Sequence, residues 1–298
     1  MTMTKKRKRK RNNMASLYTR KDAYIPRIAA VHDLCGYGKC SLGVAIPVLS
    51  AAGCDVCPVP TGLFSSHTAF STWYMHDTTD MLADYLDAWK QVGIGIDAVY
   101  SGFLGAPEQV ERIKDIYATY PQALRIVDPV MADHGKVYPT YTPELCAAMA
   151  ELACGADILT PNLTEASIIL GTEWSGQNIT DDEVRRIIEG LRERGAKNVV
   201  LKGIERNDGL IRNFVSGESC DFAETSDELL PYMLHGTGDL FCSCLLAAIM
   251  AGRSLLEATS FAGDFVVDAM KVTAHQPDFQ NRGVSFEPLL GKIAALLA

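Results

Sequence analysis

The sequence lacks any apolar run near the roughly 20 residues that a membrane-spanning helix needs. It also lacks a signal peptide, and its nine cysteines follow no regular spacing. These absences argue against a secreted disulfide framework, so we expect a cytoplasmic protein with reduced cysteines and no membrane partner. Cys54 and Cys57 have the spacing of a redox motif, but they stand in an apolar run that predicts a strand.

The charge of the chain is divided between a basic start and an acidic body. Residues 5–11 carry seven positive charges, which leaves 21 Lys and Arg against 36 Asp and Glu, or −15, elsewhere. An acidic body disfavours nucleic-acid binding by the folded domain. We expect residues 1–13 to be a basic disordered leader before a single domain at 14–298. A localisation or nucleic-acid-binding arm is the alternative for the leader.

Short apolar runs and segments of helical spacing alternate almost throughout the chain. Strands are predicted at 27–32, 54–59, 96–101, 124–127, 157–159 and 198–201, with an antiparallel pair at 209–214 and 220–224. Helices are predicted at 41–52, 80–92, 107–120, 142–153, 163–170, 181–194, 237–250 and 254–270. This order predicts an α/β fold, a mostly parallel central sheet with helices on both faces. Ligands of such folds bind at the carboxyl ends of the strands.

Gly236-Thr237-Gly238-Asp239 opens the apolar helix that follows it. The free N–H groups of a first helical turn bind anions, and glycine lets the backbone approach a phosphate closely. A carboxylate in such a turn suits a base that takes a proton from an attacking hydroxyl. The alternative is that Asp239 only caps the helix.

Polar side chains also follow five predicted strands, and all of them are expected at the same sheet edge. These segments are His32-Asp33, residues 61–68, residues 128–133, residues 160–165 and Lys202-Gly203. Each has a structural alternative. Asp128 could end a strand in a turn, Glu165 could be an ordinary first-turn residue, Lys202 could be a solvated strand end, and His67 could be a core histidine.

With these motifs in place, the chain resembles the pyridoxal/pyridoxamine kinases of the ribokinase-like superfamily, from about Arg27 to about Met270. The glycine turn is shared with many sugar and vitamin kinases, whereas Phe64-Ser-Ser-His-Thr68 and Ser101-Gly-Phe-Leu-Gly105 are more specific to the B6 kinases. The resemblance implies that ATP phosphorylates the 5′-hydroxymethyl group of a B6 vitamer. It also implies a homodimer.

The resemblance assigns roles to individual residues. Asp239 is the expected base, and the N–H groups of Gly236, Thr237 and Gly238 are expected to hold the transferring phosphoryl group. Asp128 and Glu165 resemble the family's acidic pair for Mg²⁺, and Asp133 is expected to join a metal or monovalent-cation (K⁺) site. The expected vitamer contacts are Asp33, Thr61, Gly62, Phe64, His67, Phe103 and Asp239. The expected nucleotide contacts are Asp128, Thr160, Glu165, Lys202, Leu234, His235, Gly236, Thr237 and Gly238.

Three residues depart from the family pattern. Ser66 replaces an asparagine, Phe103 replaces a tyrosine, and Ala132 replaces a glycine. Because Phe103 lacks a hydroxyl, these changes leave the preferred vitamer open.

Three other functions remain open. The first is a kinase of hydroxymethylpyrimidine or another small alcohol, although hydroxymethylpyrimidine kinases typically carry cysteine where Asp239 stands. The second is a nucleotide-binding regulator without catalysis, which the retained carboxylates argue against. The third is nucleic-acid binding through the basic leader.

Overall fold

The computed structural model describes residues 16–21 and 23–298, so the predicted leader at 1–13 lies outside the described residues. Nine strands of the described part form one sheet, in the order β11-β10-β9-β8-β5-β4-β1-β2-β3. They are β1 (Arg27–Tyr37), β2 (Asp55–Ser66), β3 (Met75–Asp77), β4 (Ala98–Ser101), β5 (Leu124–Val127), β8 (Ile158–Leu159), β9 (Asn198–Glu205), β10 (Leu210–Gly217) and β11 (Ala223–Glu228). A separate hairpin pairs β6 (Ala132–Asp133) with β7 (Lys136–Val137).

Six neighbouring strands pair in parallel, in the order β9-β8-β5-β4-β1-β2. The outer strands β3, β10 and β11 pair antiparallel with their neighbours. The helices of the described residues are α1 (Leu42–Ala51), α2 (Thr79–Val92), α3 (Glu108–Thr119), α4 (Pro143–Ala153), α5 (Leu163–Leu170), α6 (Asp181–Glu193), α7 (Thr237–Met250), α8 (Leu255–Thr273) and α9 (Leu290–Ala294). This arrangement confirms the predicted mostly parallel α/β fold. None of the described helices has the length and apolar character needed to cross a membrane.

Apolar side chains form one core on each face of the sheet, because successive strand residues point to opposite faces. On β1, Ala29 and Val31 belong to the core that packs against α2–α6, whereas Ile28 belongs to the core that packs against α1, α7 and α8. Helix α7 is buried at every residue from Asp239 to Met250. A helix that is apolar on all sides lies inside the protein, so its first turn is fixed by the core.

The predicted ends of two strands were wrong. β1 and β2 do not stop at residues 32 and 59 but continue to Tyr37 and Ser66, where they still pair with each other across an irregularity between His32 and Leu34. The glycines and polar residues at these positions predict loops. The two strands remain extended because β1 and β2 pair with each other there. The hairpin strand predicted at 220–224 also lies later, at β11. Sequence analysis missed β3, the β6–β7 hairpin and α9.

We expect Phe265→Ala to lower the free energy of unfolding by about 3–5 kcal/mol, because a buried phenyl ring would leave a cavity. Phe265 lies on α8, is 1% exposed and packs in the core beside α7. Urea denaturation followed by circular dichroism measures this loss. Phe261→Ala, one turn earlier on the same helix and only partly buried, is the matched control. Equal losses in the two variants would contradict this account of the core.

Candidate active site

The carboxyl end of the sheet brings together several of the predicted polar residues. Asp128 follows β5, Thr160 follows β8, Lys202 lies in β9, and Asp239 lies in the first turn of α7. Asp128, Thr160 and Asp239 are buried. The sheet order places β5, β8 and β9 side by side, which is why residues far apart in the sequence meet here.

Asp128 and Lys202 form a buried ion pair at the centre of this group. Lys202 Nζ donates to Asp128 Oδ1, and Thr160 Oγ1 donates to the same oxygen at 3.0 Å. Burial lowers the pKa of Lys202, but the charges of Asp128 and Glu165 outweigh it, and the pKa lies above its ordinary value. Lys202 therefore remains a cation. It lies beside the turn formed by Gly236–Asp239 at the start of α7, which we call the anion turn. Asp128 Oδ2 is buried with no hydrogen-bond partner among the described residues.

Glu165 combines a structural and an electrostatic role. Its carboxylate accepts the N–H of Asn162 at 2.8 Å, and the Asn162 side chain accepts the N–H of Glu165 at 2.9 Å, which makes a capping box at the start of α5. Burial raises the pKa of Glu165 to about 8, Lys202 lowers it and Asp128 raises it. Glu165 is buried and interacts electrostatically with Lys202 and Asp128, which indicates a role beyond capping.

The anion turn has the backbone geometry that its glycines predict. Gly236 has φ +79°, and a Cβ there would lie 2.0 Å from the carbonyl oxygen of Lys39, so only glycine fits. The Thr237 hydroxyl donates to the carbonyl of Leu234 at 3.3 Å. The first N–H groups of α7 have no partner within the helix and carry its positive dipole end.

Asp239 has the properties of a base that works near neutral pH. Burial raises its pKa to about 7; an N–H of Ser41 lowers it, Asp128 and Asp33 raise it, and Lys202 lowers it. Its Oδ1 is buried and has no hydrogen-bond partner in the described part of the chain. The oxygen is therefore free to accept a proton from a bound hydroxyl.

Ser41 links Asp239 to Asp33, and sequence analysis missed it. Burial raises the pKa of Asp33 to about 6, and a hydrogen bond to the Ser41 side chain lowers it. Ser41 is buried and has φ +50°, which is unusual for a residue with a side chain. Its position just before α1 was the available signal, because serine favours helix starts.

Aromatic rings line the predicted vitamer pocket. The Phe64 and Phe103 rings meet edge to face, with their centroids 5.5 Å apart. Trp73 packs against Phe64 at 5.8 Å, and Tyr141 packs against Phe103 at 5.7 Å. Neither Tyr141 nor Trp73 was part of the predicted site. Both extend the apolar wall.

Two predicted vitamer contacts also have partners within the protein. The Thr61 hydroxyl is buried and donates to the carbonyl of Phe103 at 2.8 Å. Gly62 pairs with Asp77 of β3. Their contacts with a vitamer stay predictions.

His67 and His235 lie against each other. Their rings stack with centroids 4.6 Å apart and planes 23° apart. His67 is buried, as a core histidine would be, and its Nε2 bonds to the carbonyl of Asn281 at 2.9 Å. His235 directly precedes the anion turn.

Asp133 lies on the β6–β7 hairpin, and 40% of its side chain is exposed beside His134 at 3.8 Å. Among the described residues, no three His, Cys, Asp or Glu side chains form a group that could hold a metal ion. The shared role of Asp128, Asp133 and Glu165 stays a prediction.

Comparisons with known proteins identify the family of this chain. The phosphomethylpyrimidine kinase family matches residues 46–284. Pyridoxal kinase PdxY of Haemophilus influenzae (strain PittEE) is 30% identical over 74% of this chain and 80% of the relative. A hydroxymethylpyrimidine/phosphomethylpyrimidine kinase of Haemophilus influenzae (strain Rd) is also 30% identical, over 57% of this chain and 63% of the relative.

Solved structures of similar proteins are also kinases of these two kinds. A Bacteroides thetaiotaomicron protein described as a phosphomethylpyrimidine kinase, crystallised with pyridoxal, is 31% identical and has a TM-score of 0.86 over 91% of this chain and 96% of that one. Pyridoxal kinase from Lactobacillus plantarum is 27% identical, with a TM-score of 0.84 over 92% and 98%. The fold, the anion turn and these matches together show that the chain belongs to the phosphomethylpyrimidine kinase family, as a kinase of the ribokinase-like superfamily.

Proposed function

We propose that this protein transfers the γ-phosphoryl group of ATP to the 5′-hydroxymethyl group of pyridoxal, pyridoxine or pyridoxamine. The observation that carries the proposal is Asp239, a buried carboxyl with a free oxygen and a pKa raised to about 7, in the first turn of α7. The similarity to pyridoxal kinases and to a protein crystallised with pyridoxal supports this substrate class.

The transfer follows from the positions of the charges. Asp239 Oδ1 accepts the hydroxyl proton as the substrate oxygen bonds to the γ-phosphorus. The bond from the γ-phosphorus to the β,γ-bridging oxygen breaks, and ADP leaves with that electron pair. The N–H groups at the start of α7 and the ammonium group of Lys202 stabilise the charge on the transferring group. Lys202 Nζ lies 3.7 Å from where a Cβ of Gly238 would stand.

The acidic residues fit a magnesium ion. Asp128 Oδ2 is buried without a hydrogen-bond partner in the described residues, and Glu165 offers a second hard oxygen donor. We propose that Asp128 and Glu165 hold Mg²⁺, directly or through water. When bound, Mg²⁺ neutralises phosphate charge. A contribution from Asp133 to this site or to a K⁺ site stays a prediction.

The aromatic pocket suits a pyridine ring. Phe64 and Phe103 supply its apolar walls, and we propose that the buried Asp33 supplies a polar contact to the ring. The Thr61 hydroxyl donates to the carbonyl of Phe103, so the Thr61 oxygen can accept a hydrogen bond from a vitamer but cannot donate one.

We place ATP along Thr160, Lys202 and the segment 234–238. We also propose that the protein is a homodimer in the cytoplasm.

Hydroxymethylpyrimidine is the second candidate substrate, because one relative of this chain is a hydroxymethylpyrimidine/phosphomethylpyrimidine kinase. A coupled assay of ADP release with pyridoxal, pyridoxine, pyridoxamine and hydroxymethylpyrimidine tests both candidates. We expect the highest kcat/KM with a B6 vitamer. A higher value with hydroxymethylpyrimidine would overturn the proposed substrate, and no turnover with any of them would overturn the kinase assignment.

We expect Asp239→Asn to lower kcat about 10²–10⁴-fold, because an amide cannot take the proton. ADP should still bind, which calorimetry measures. In the wild type, kcat/KM should rise with pH through about 7 as the Asp239 carboxyl loses its proton. A variant within a few-fold of wild type would rule out Asp239 as the base.

The same substitution gives an expectation for stability. Because the folded-state pKa of Asp239 lies above the ordinary value of about 4, the native state holds the proton more tightly than the unfolded chain. Ionisation of Asp239 therefore lowers the free energy of unfolding as pH rises from about 4 to above 7. Asp239→Asn should melt at a higher temperature than wild type at pH 8, and the difference should shrink towards pH 4.

We expect Glu165→Gln to raise the Mg²⁺ concentration needed for half-maximal activity by at least about tenfold, since one charged oxygen ligand is lost. The glutamine keeps an acceptor for the Asn162 N–H, so the cap of α5 survives. Glu183→Gln is the matched control, because Glu183 completes the same kind of capping box on α6 but is only partly buried and lies in a different helix from the proposed site. If both variants titrate with Mg²⁺ like wild type, Glu165 is only a capping residue.

A further inference from the structure

Four rings contact one another in a row beside the anion turn. The row runs from Tyr37 to Phe70 at 5.4 Å, from Phe70 to His67 at 4.4 Å, and from His67 to His235 at 4.6 Å between centroids. The last two contacts are close to parallel, with planes 33° and 23° apart. The row therefore connects the loop after β2 to the residue just before Gly236.

His67 is the fixed member of this row. It is 6% exposed, and its Nε2 meets the carbonyl of Asn281 at 2.9 Å, so Nε2 carries the proton. Gly38 has φ +102°, and a Cβ there would lie 2.2 Å from the His67 ring. A glycine is thus required for the ring to sit where it does.

The segments that enclose His67 also enclose the anion turn. A Cβ on Gly236 would lie 2.0 Å from the Lys39 carbonyl oxygen, next along the chain from Gly38. A Cβ on Gly283 would lie 3.1 Å from the His235 carbonyl oxygen. The N–H of Lys39 donates to the carbonyl of Arg282 at 3.0 Å, which ties the two segments together.

We propose that His67 is a positioning residue for phosphoryl transfer: by stacking against His235 it fixes the backbone of the anion turn. The inference rests on the proposed function and extends it, because neither histidine has to touch substrate for the effect. Phe64 of the pocket wall lies three residues before His67, so the same segment reaches both the predicted vitamer pocket and the turn that precedes α7.

The test compares steady-state constants for His67→Ala, His67→Phe, His235→Ala and the double alanine variant. His67→Ala should lower kcat about tenfold or more, since small displacements of reacting groups cost rate, while KM for pyridoxal stays within about threefold. His67→Phe keeps a flat ring against His235 but loses the hydrogen bond to the Asn281 carbonyl, so it should retain several-fold more of the wild-type kcat than His67→Ala does. His275→Ala, an exposed histidine at the end of α8, is the control and should match wild type.

Coupling between the two histidines separates this role from a general loss of structure. If His67 acts through His235, the double variant should lose no more kcat than the poorer single variant. Multiplied losses, equal losses in His67→Ala and His67→Phe, or a loss confined to KM for pyridoxal would each overturn the proposal.

Failure of the proposed function would look different, because the wild type itself would then turn over none of the vitamers. In that case the imidazole C2–H proton resonance of His235 and the affinity for ADP report on the contact. Both should change in His67→Ala and change less in His67→Phe. Unchanged values in His67→Ala would overturn the positioning role.

Discussion

The ion pair between Asp128 and Lys202 is the interaction on which the rest of this site depends. Four carboxyl groups are buried at one end of the sheet, and burial raises the pKa of Asp33 to about 6, of Asp239 to about 7 and of Glu165 to about 8. Burying carboxylates costs free energy unless a charge or hydrogen bonds compensate. Lys202 supplies that charge to Asp128, whereas burial is the main cause that raises the pKa of Asp239.

The fold supports this arrangement through long-range order. β5, β8 and β9 are neighbours in the sheet, so their ends deliver Asp128, Thr160 and Lys202 to one place. Asp239 comes from α7, and the burial of this helix along its length holds Asp239 in place. The arrangement leaves two buried carboxylate oxygens without hydrogen-bond partners in the described residues, Asp128 Oδ2 and Asp239 Oδ1. Such groups are expected where a protein binds charged ligands.

Much of this was predictable from local sequence. Alternating apolar runs indicated the parallel sheet, and the Gly236–Asp239 turn led to the anion site and the base, which stay proposals. The extensions of β1 and β2 were not predictable, because pairing between Leu34 and Leu63 overrides the local turn signals. The contact of His67 with His235 and the link through Ser41 were equally hidden. They join segments far apart in the sequence, and their local residues look ordinary.

The burial of α7 has a consequence for how the protein tolerates change. The helix carries the proposed base at its first turn and forms part of the core over the next three turns. A cavity made along its length, far from any substrate, shifts Asp239 relative to Lys202. Substitutions in this core should therefore lower the catalytic rate more than they lower the melting temperature. Evolution of the sequence is then constrained at the buried residues of α7 as well as at the residues of the pocket.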